Sequence, residues 1–402
     1  MKRILFVINT LGTAGAEKAL IELLKRLDTP DYEVSLFVLM NQGELLPEIP
    51  PHVRVLNKNY DNCTVNGAAG SKHLKKHVIR TLLKRGTVIR CFPYMIGNAL
   101  AMKKNGGLRA DKLLWREMAM GAPRFEGHYD LAVAYIEGGA AYYVRDYVDA
   151  EKKAAFIHID YQKAGYTRKL DRDCYLAYDR IFPVSDEVRS VFLNVYPEME
   201  DKTFVFHNLI DPQGIRRKAQ EEGGFEDDFD GIRILTIGRL AAQKSFETSI
   251  DAMAILKERG IRARWYVLGT GDREQALREH IAEGNLQEDF LLLGNRANPY
   301  PYLKQCDLYV HASGFEGKSI AIKEARIMGC PVLVTDCSGN REQVEDGVDG
   351  RLCDFNAAAI AEGIAGMLED REKTMAMGRE AARRMDEELK EQKIDKLTDL
   401  LR

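Results

Sequence analysis

The stretch DLYVHASGFEGKSIAIKEARIMGCPVLVT, residues 307–335, contains a complete strand–loop–helix–strand pattern. The apolar run that ends near Ala312 predicts a buried strand, and the segment from Ser319 to Gly329 predicts a helix. A second apolar run, PVLVT, follows the helix at once. Buried strands that are connected through a helix are typical of parallel sheets. This stretch therefore predicts an α/β fold.

The same alternation of strands and helices extends through both halves of the chain. It predicts two doubly wound, Rossmann-like α/β domains that face each other across a cleft at the carboxyl ends of their strands, where ligands bind in open α/β sheets. Further strands are predicted at residues 4–8, 32–39, 131–135, 154–159, 180–184 and 203–206 in the first half, and at 232–238, 264–269 and 290–294 in the second.

A boundary between the two domains is predicted near HNLIDP, residues 207–212, which precedes an acidic segment with glycines, EEGGFEDDFDG. Turn-forming residues and charge in such a cluster are typical of linkers. A length of 402 residues also suits about two domains. We expect domains at 1–208 and 209–385 and a C-terminal helix at 386–402, and whether this helix returns to the first domain is left open.

The composition favours a protein of the cytoplasm. The seven cysteines are dispersed, without zinc-like spacing, which is typical of reduced thiols. The start, MKRILFVINTLGTAGA, resembles a signal peptide, but its apolar run of five residues is shorter than the usual ~7–15. No apolar run approaches the ~18 residues that cross a bilayer. We therefore expect a protein that is soluble or peripheral on the cytoplasmic face of a membrane.

Residues 71–116 contain twelve Lys and Arg but a single acid, Asp111, in a chain of net charge −3. Apolar residues in SKHLKKHVIRTLLKRG share one helical face, with basic residues around it. Such a helix can lie on an anionic lipid surface. It can equally pack its apolar face against its own domain, and the two interpretations stay open. Nucleic acid is not expected as a partner, because no groove-reading element accompanies the charge.

Two carboxylates, Glu316 and Glu324, flank the predicted start of the helix after strand DLYVHA. The unpaired N–H groups at a helix start bind phosphate, and Gly317 allows a ligand to approach the backbone closely. The two carboxylates can then accept hydrogen bonds from hydroxyls on either side of the phosphate. A diphosphate between two polyhydroxylated groups is a nucleotide-sugar. Spacing alone fits equally an acidic loop residue and a surface glutamate on a helix.

Two cations, Arg239 and Lys244, follow strand IRILTIG directly and so lie at the same edge of the predicted sheet. A guanidinium donates two hydrogen bonds to phosphate oxygens, and an ammonium adds a point charge. Both would stabilise the charge that develops on a leaving nucleoside diphosphate. Either residue alone could be a solvated surface cation.

These motifs together resemble the retaining glycosyltransferases of the GT-B fold, family 4. The resemblance is nearly continuous over residues 232–354 and carries a hint of the branch that builds polysaccharides. Two departures are Ser245, where a glycine is usual, and Lys318-Ser319, where many members have Phe-Gly. The matching residues include Gly238-Arg239-Leu240, Lys244, Gly269-Thr270-Gly271, Gly294-Asn295-Arg296, Glu316, Glu324, Gly329, Pro331, Gly339–Glu342 and, near the start, Gly15-Ala16-Glu17.

The resemblance implies a retaining hexosyltransferase that moves a sugar from a nucleotide-sugar, with a UDP-sugar expected, to a hydroxyl of a glycan or lipid-linked glycan in surface polysaccharide synthesis. Residues 1–208 would bind the acceptor and residues 209–385 the donor. Catalytic roles fall on His158, which Asp160 could orient, and on Arg239, Lys244 and Glu316. The expected donor-binding residues are Gly15, Arg239, Lys244, Gly269, Arg296, Glu316, Gly317, Lys318, Ser319, Ile320 and Glu324.

The resemblance also implies that no cofactor and no metal ion take part. The sequence Asp171-Arg172-Asp173 has the metal-binding pattern of a different glycosyltransferase fold, and we interpret it as coincidental because it lies in a charged, helical stretch. Two other functions stay open: a nucleotide-sugar epimerase of similar shape, which needs no acceptor, and a non-catalytic scaffold that binds the donor.

Overall fold

Two parallel six-stranded sheets organise the chain in the computed structural model, which describes residues 1–62, 68–83, 87–104, 110–314, 318–390 and 392–402. Each sheet belongs to one compact unit. The first unit comprises Met1–Leu209 and Lys393–Arg402, and the second comprises Ile210–Gln392. The α/β character predicted for both halves is therefore present.

The first unit has strand order β3-β2-β1-β4-β5-β6, with every neighbouring pair parallel. Its strands and the helices between them are as follows: β1 Lys2–Ile8, α1 Gly15–Arg26, β2 Tyr32–Val38, β3 Arg54–Val55, α2 Ala68–Leu83, α3 Thr87–Lys104, α4 Ala110–Gly121, β4 Tyr129–Ala134, α5 Gly139–Tyr147, β5 Ala150–Ile157, α6 Arg168–Asp171, β6 Arg180–Pro183 and α7 Asp186–Val195.

The second unit has strand order β12-β11-β10-β7-β8-β9, again parallel throughout. Its elements are α8 Pro212–Lys218, β7 Ile232–Ile237, α9 Phe246–Glu258, β8 Ala263–Leu268, α10 Glu274–Glu283, β9 Phe290–Gly294, α11 Tyr300–Gln305, β10 Leu308–His311, α12 Ile320–Ile327, β11 Val332–Thr335, α13 Ser338–Arg341, β12 Arg351–Cys353, α14 Ala357–Glu369 and α15 Arg371–Leu389. Helix α16, Asp395–Thr398, belongs to the first unit.

Apolar side chains cover both faces of the first sheet, as a parallel sheet requires. Leu5 and Val7 of β1 point into one core, which includes the aromatic residues Tyr142 and Tyr175. Ile4, Phe6 and Ile8 point into the other core, which α1 covers. The alternation along β1 follows from the two-residue period of a strand.

Two predictions of secondary structure were wrong. Residues 203–206 form no strand of their own, although Thr203 shares an isolated parallel bridge with Ile181 and the N–H groups of Phe204 and Phe206 donate to carbonyls of β6. Residues 386–402 are not one helix, since α15 continues to Leu389 and α16 begins at Asp395.

The predicted linker at 207–212 contains the boundary between the two units, which lies between Leu209 and Ile210. Helix α8 begins at the last residue of this stretch, because Asp211 accepts a hydrogen bond from the Gly214 N–H at 2.9 Å and Pro212 occupies the first helical position.

The described part of the basic segment, residues 71–116, shows where part of its apolar helical face lies. In α2, Leu74 and Val78 pack against the core of the first unit. The side chain of Ile79, by contrast, is 57% exposed. The exposed residues around it include Lys72, Lys75, Lys76 and Arg80.

Among the described residues, no helix is both long and apolar enough to cross a membrane. The same residues contain no cluster of three or more His, Cys, Asp or Glu side chains that could hold a metal ion. Five cysteines of the described part, Cys174, Cys306, Cys330, Cys337 and Cys353, are free thiols.

Candidate functional site

The loops at the carboxyl edge of the second sheet contact one another through their backbones. Gly269, which follows β8, has a φ of +149°, and a Cβ there would lie 1.9 Å from the carbonyl oxygen of Gly238. A Cβ at Gly271 would lie 2.1 Å from the carbonyl oxygen of Leu240. Only glycine allows this approach. The predicted Gly269-Thr270-Gly271 turn is thus required for the loops after β7 and β8 to meet.

Backbone hydrogen bonds join four neighbouring loops at this edge. The Leu240 N–H donates to the Thr270 carbonyl at 3.0 Å, which links the loops after β7 and β8. The Gly269 N–H donates to the Gly294 carbonyl at 2.9 Å, and the Gly314 N–H donates to the Gln243 carbonyl at 3.4 Å. One connected surface is therefore formed by the loops that follow strands β10, β7, β8 and β9.

Arg239 is exposed on this surface. Its side chain forms no hydrogen bond or ion pair with any residue in the described part of the chain. A guanidinium whose five donors are not used by the residues that the structure describes is suited to an anionic ligand.

Lys244 lies beside Arg239 in the same loop, and its stem crosses Gly238. A Cβ at Gly238 would be 3.7 Å from Lys244 Cε. The Lys244 ammonium donates to His311 Nε2 at 3.0 Å, and His311 Nδ1 is 3.1 Å from the hydroxyl of Tyr309. The loop after β7 and the end of β10 thus meet through side chains as well as through backbone.

Helix α12 begins at this edge with an uncapped N-terminus. Ser319 occupies the N-cap position, but its side chain forms no capping hydrogen bond. Ser319 and Ile320 are both buried, so the first turn is anchored in the unit. The N–H groups of a first helical turn have no partner within the helix and carry a partial positive charge. Glu316 and Gly317, which the sequence places just before this turn, lie outside the described residues.

Glu324 and Arg296 both contact α11. The hydroxyl of Tyr300 donates to Glu324 Oε1 at 2.9 Å, and Glu324 is only 2% exposed. Arg296 Nε donates to the hydroxyl of Tyr302 at 3.1 Å while the rest of its side chain is exposed. Two residues that were predicted to bind the donor, Glu324 and Arg296, are therefore connected through one short helix.

Lys318 has a partner within the second unit. Its ammonium is 3.7 Å from Glu388 Oε1 of α15, and the ammonium of the buried Lys323 is 3.4 Å from the same oxygen. Burial lowers the pKa of Lys323 to about 8, although the carboxylate of Glu388 opposes that shift. The two lysines hold the start and the middle of α12 against α15, so Lys318 has a structural partner besides its predicted role toward the donor.

The two remaining predicted residues, Gly15 and His158, lie in the first unit. Gly15 begins α1 after an N-cap residue, Ala14, that forms no side-chain cap. His158 directly follows β5, and its ring packs 5.2 Å from the ring of Tyr135. Burial lowers the pKa of His158 to about 4, so the imidazole is neutral near pH 7. Its buried Nε2 atom has no hydrogen-bond partner among the described residues.

Glu137 is a residue at the first sheet's carboxyl edge that sequence reasoning missed. Its Oε2 accepts a hydrogen bond from the His158 N–H at 3.0 Å, and burial raises its pKa. Asn9 Nδ2 donates to the Glu137 carbonyl at 3.1 Å. Asp160, which we expected to orient His158, instead contacts Lys163 at 3.3 Å. The signal in the sequence was an acid before Gly138-Gly139, directly after a predicted strand.

The two carboxylates of Asp171-Arg172-Asp173 lie in different environments. Asp171 is fully buried, and burial raises its pKa to about 8. Asp173 lies at the surface, where its carboxylate is 2.7 Å from Arg168. They do not form a pair that could share a metal ion.

Solved structures of low sequence identity share the fold of the whole chain. Anabaena HepE in complex with UDP-glucose aligns with a TM-score of 0.64 at 19% identity and covers 96% of this chain and 95% of HepE. WaaG, a glycosyltransferase involved in lipopolysaccharide biosynthesis, aligns with a TM-score of 0.63 at 14% identity and covers 95% of each chain. The predicted fold class, GT-B with two doubly wound units, is confirmed.

Sequence comparison shows which proteins of this fold the chain is similar to. Residues 220–384 match the family of glycosyl transferases group 1. A Campylobacter jejuni enzyme, N-acetylgalactosamine-N,N'-diacetylbacillosaminyl-diphospho-undecaprenol 4-alpha-N-acetylgalactosaminyltransferase, is 27% identical over 92% of this chain and 91% of its own. The amylovoran biosynthesis glycosyltransferase AmsK of Erwinia amylovora is 32% identical over 32% of this chain and 34% of its own. With the fold, these matches support a group 1 glycosyltransferase.

Proposed function

We propose that this chain transfers a hexosyl group from a UDP-sugar to a hydroxyl of a glycan or lipid-linked glycan, with retention of configuration, in surface polysaccharide synthesis. The observation that carries this proposal is the connected edge of the second sheet. There three features belong to interlocked loops: the exposed guanidinium of Arg239, the ammonium of Lys244, which contacts His311, and the uncapped start of α12. All three features favour a diphosphate.

Similarity and the site together support this donor class. HepE, which shares this fold, has been solved with UDP and with UDP-glucose. The C. jejuni relative transfers an N-acetylgalactosaminyl group, as its name states. Both observations favour a hexose on a nucleoside diphosphate for this chain.

In the proposed reaction, Arg239 and Lys244 compensate the charge that develops on the leaving diphosphate, so no metal ion is needed. Glu316 would accept hydrogen bonds from the donor sugar, and Glu324, supported by Tyr300, would accept from the ribose. His158 would contact the transferred sugar as a neutral ring. The leaving phosphate would take the proton of the acceptor hydroxyl on the same face of the sugar, which gives retention.

A lipid-linked acceptor is favoured by a relative and by the surface of α2. The C. jejuni relative carries diphospho-undecaprenol in the name of its acceptor. Exposed Lys72, Lys75, Lys76 and Arg80 surround the exposed Ile79 on α2 of this chain. Basic residues with an apolar side chain among them suit the surface of an anionic membrane. We therefore propose peripheral attachment through this segment.

The test is thermal unfolding of the full chain against UDP, GDP and their sugar conjugates. A ligand that binds only the folded state raises the melting temperature by mass action. We expect a saturable increase with UDP and UDP-sugars that Arg239→Ala abolishes. The matched control is Arg262→Ala, because Arg262 is also exposed but precedes β8 and so lies at the opposite edge of the sheet.

Two outcomes would overturn the proposal. If no nucleotide raises the melting temperature, the proposed donor site does not exist. If Arg239→Ala and Arg262→Ala reduce the increase equally, the nucleotide binds elsewhere. Where UDP-sugar binds, product analysis with and without a glycan acceptor separates transfer from epimerisation, because only an epimerase alters the sugar without acceptor.

A further inference from the structure

His311 is the last residue of β10 and is only 1% exposed. A buried histidine at the end of a strand could be a core residue, and the sequence alone gives no reason to single it out. In the structure its imidazole lies between two functional groups. Its Nε2 accepts from the Lys244 ammonium at 3.0 Å, and its Nδ1 is 3.1 Å from the Tyr309 hydroxyl.

The chemistry of Lys244 and Tyr309 decides which nitrogen of the His311 ring carries the proton. A lysine ammonium only donates, so Nε2 must carry the lone pair and the single ring proton must be on Nδ1. Nδ1–H then donates to the oxygen of Tyr309, whose hydroxyl points to the Ile237 carbonyl at 3.4 Å. The ring is therefore neutral and held in one tautomer, with its acceptor atom toward Lys244.

We propose that His311 is a positioning residue that fixes the Lys244 ammonium for the phosphates of the donor. This inference rests on the proposed function, because it assumes that Lys244 binds the diphosphate. A lysine ammonium has three donors, so the bond to His311 is compatible with bonds to phosphate oxygens. Fixing the long, flexible side chain beforehand reduces the entropy that ligand binding must remove.

Affinity for UDP, measured by calorimetry on the full chain, tests the inference through a double-mutant cycle. We expect Lys244→Ala and His311→Leu each to weaken UDP binding about tenfold, which is the size of one hydrogen bond to a charged group. In the Lys244→Ala background, His311→Leu should change the affinity no further. His311→Gln, which keeps a side-chain acceptor, should stay within about threefold of the wild type.

Two further variants test whether a loss of UDP binding in His311→Leu is merely the result of a disturbed structure. His280→Leu is the matched control, since the His280 ring contacts the exposed Asp251 on the surface and its loss should leave UDP binding unchanged. Tyr309→Phe removes the hydroxyl that fixes the tautomer and should weaken UDP binding a few-fold, again only when Lys244 is present. This second variant decides the question if His311→Leu fails to fold, which a melting curve without nucleotide detects.

The outcomes separate this inference from the function on which it rests. If the wild type binds neither UDP nor GDP, the proposed function fails and the inference falls with it. If Lys244→Ala weakens binding but His311→Leu and Tyr309→Phe do not, the donor site stands and His311 has no positioning role. A loss in His311→Leu that persists at full size in the Lys244→Ala background also overturns the inference.

Discussion

At the carboxyl edge of the second sheet, Arg239 is exposed and the Lys244 ammonium contacts His311. The corresponding edge of the first sheet contains Glu137 and the neutral His158 instead. Both edges arise from the same topology of parallel strands. One presents cationic groups in loops that interlock through glycines, and the other presents an acid and an uncharged ring. The first arrangement suits phosphate, and the second suits the hydroxyls of a sugar.

The fold alone therefore does not assign a function to an edge of a sheet. The same strand–loop–helix unit becomes a phosphate site only where cations and tight glycine turns are added to it. Changes at the second edge should therefore affect nucleotide binding, and changes at the first edge should leave it largely intact.

Gly269→Ala is expected to have the largest effect. Its Cβ would lie 1.9 Å from the Gly238 carbonyl oxygen at a φ of +149°, so the loops after β7 and β8 must separate. We expect the free energy of unfolding to fall by at least about 3 kcal/mol and UDP binding to be lost. Denaturant unfolding and calorimetry measure the two effects.

The matched control for that change is Gly366→Ala in α14. A Cβ there has no neighbour within 4 Å, so alanine should stabilise the helix by ~0.5–1 kcal/mol. Equal destabilisation by the two variants would show that the backbone contact at Gly269 has no special role.

The double variant Arg239→Ala/Lys244→Ala should come next in size. Losing two charge-assisted contacts to a diphosphate is expected to weaken UDP binding at least about 100-fold, while stability changes little because Arg239 is exposed and Lys244 only half-buried. Glu137→Gln, at the first edge, should keep the wild-type affinity for UDP. If Glu137→Gln weakens binding as much as the double variant does, the contrast between the two edges is wrong.

His158 should make the first unit sensitive to acid. Its pKa is lowered from 6.5 in the unfolded chain to about 4 in the folded one, so the unfolded state binds a proton that the folded state does not. Stability is therefore complete above pH 6.5 and is lost as the pH falls toward 4, by about 2 kcal/mol at pH 5.

Denaturant unfolding at pH 7 and pH 5 measures this loss. In His158→Phe, which has no titrating ring, the difference between the two pH values should shrink by about that amount. An unchanged difference would contradict a buried, neutral His158.

The smallest expected effect concerns α2. Each basic residue near an anionic membrane contributes ~1 kcal/mol, so Lys75→Gln should weaken binding to phosphatidylglycerol vesicles about fivefold. Lys152→Gln is the control, because Lys152 is partly exposed and belongs to the first unit but lies outside α2. Sedimentation with vesicles should show no effect of the control, and binding that is equal for neutral and anionic vesicles would reject the proposed attachment.

Local patterns predicted most of the sheets. Strands such as β7 and β8 are continuous apolar runs bounded by glycines, and this signal needs no knowledge of distant contacts. Residues 203–206 had a similar pattern, yet they form no strand of their own. They share one isolated bridge and two backbone hydrogen bonds with β6, because pairing depends on what lies beside them in space. The apolar face within SKHLKKHVIRTLLKRG predicted the helix that forms most of α2, whereas no helix was predicted at α3 or α4.

Residues of the candidate site were predicted only where a single loop contains both the residue and the sequence pattern that identifies it. Arg239, Lys244 and Gly269 follow strands directly, so sequence order alone placed them at one edge. His311 and Glu137 were missed because their roles depend on Lys244 and His158, which lie 67 and 21 residues away in the chain. A single sequence does not show such pairs. The roles predicted for all of the site residues, including Arg239, Lys244 and His158, remain predictions.

Hydrogen–deuterium exchange with and without saturating UDP tests most directly whether the second unit's edge holds the donor. We expect the largest slowing of amide exchange in the loops at 238–245 and 269–272 and in the first turn of α12. Exchange in the loops after β4 and β5 of the first unit should change less. If saturable UDP binding instead gives its largest protection at Glu137–Gly139 or at His158, the donor site has been assigned to the wrong sheet.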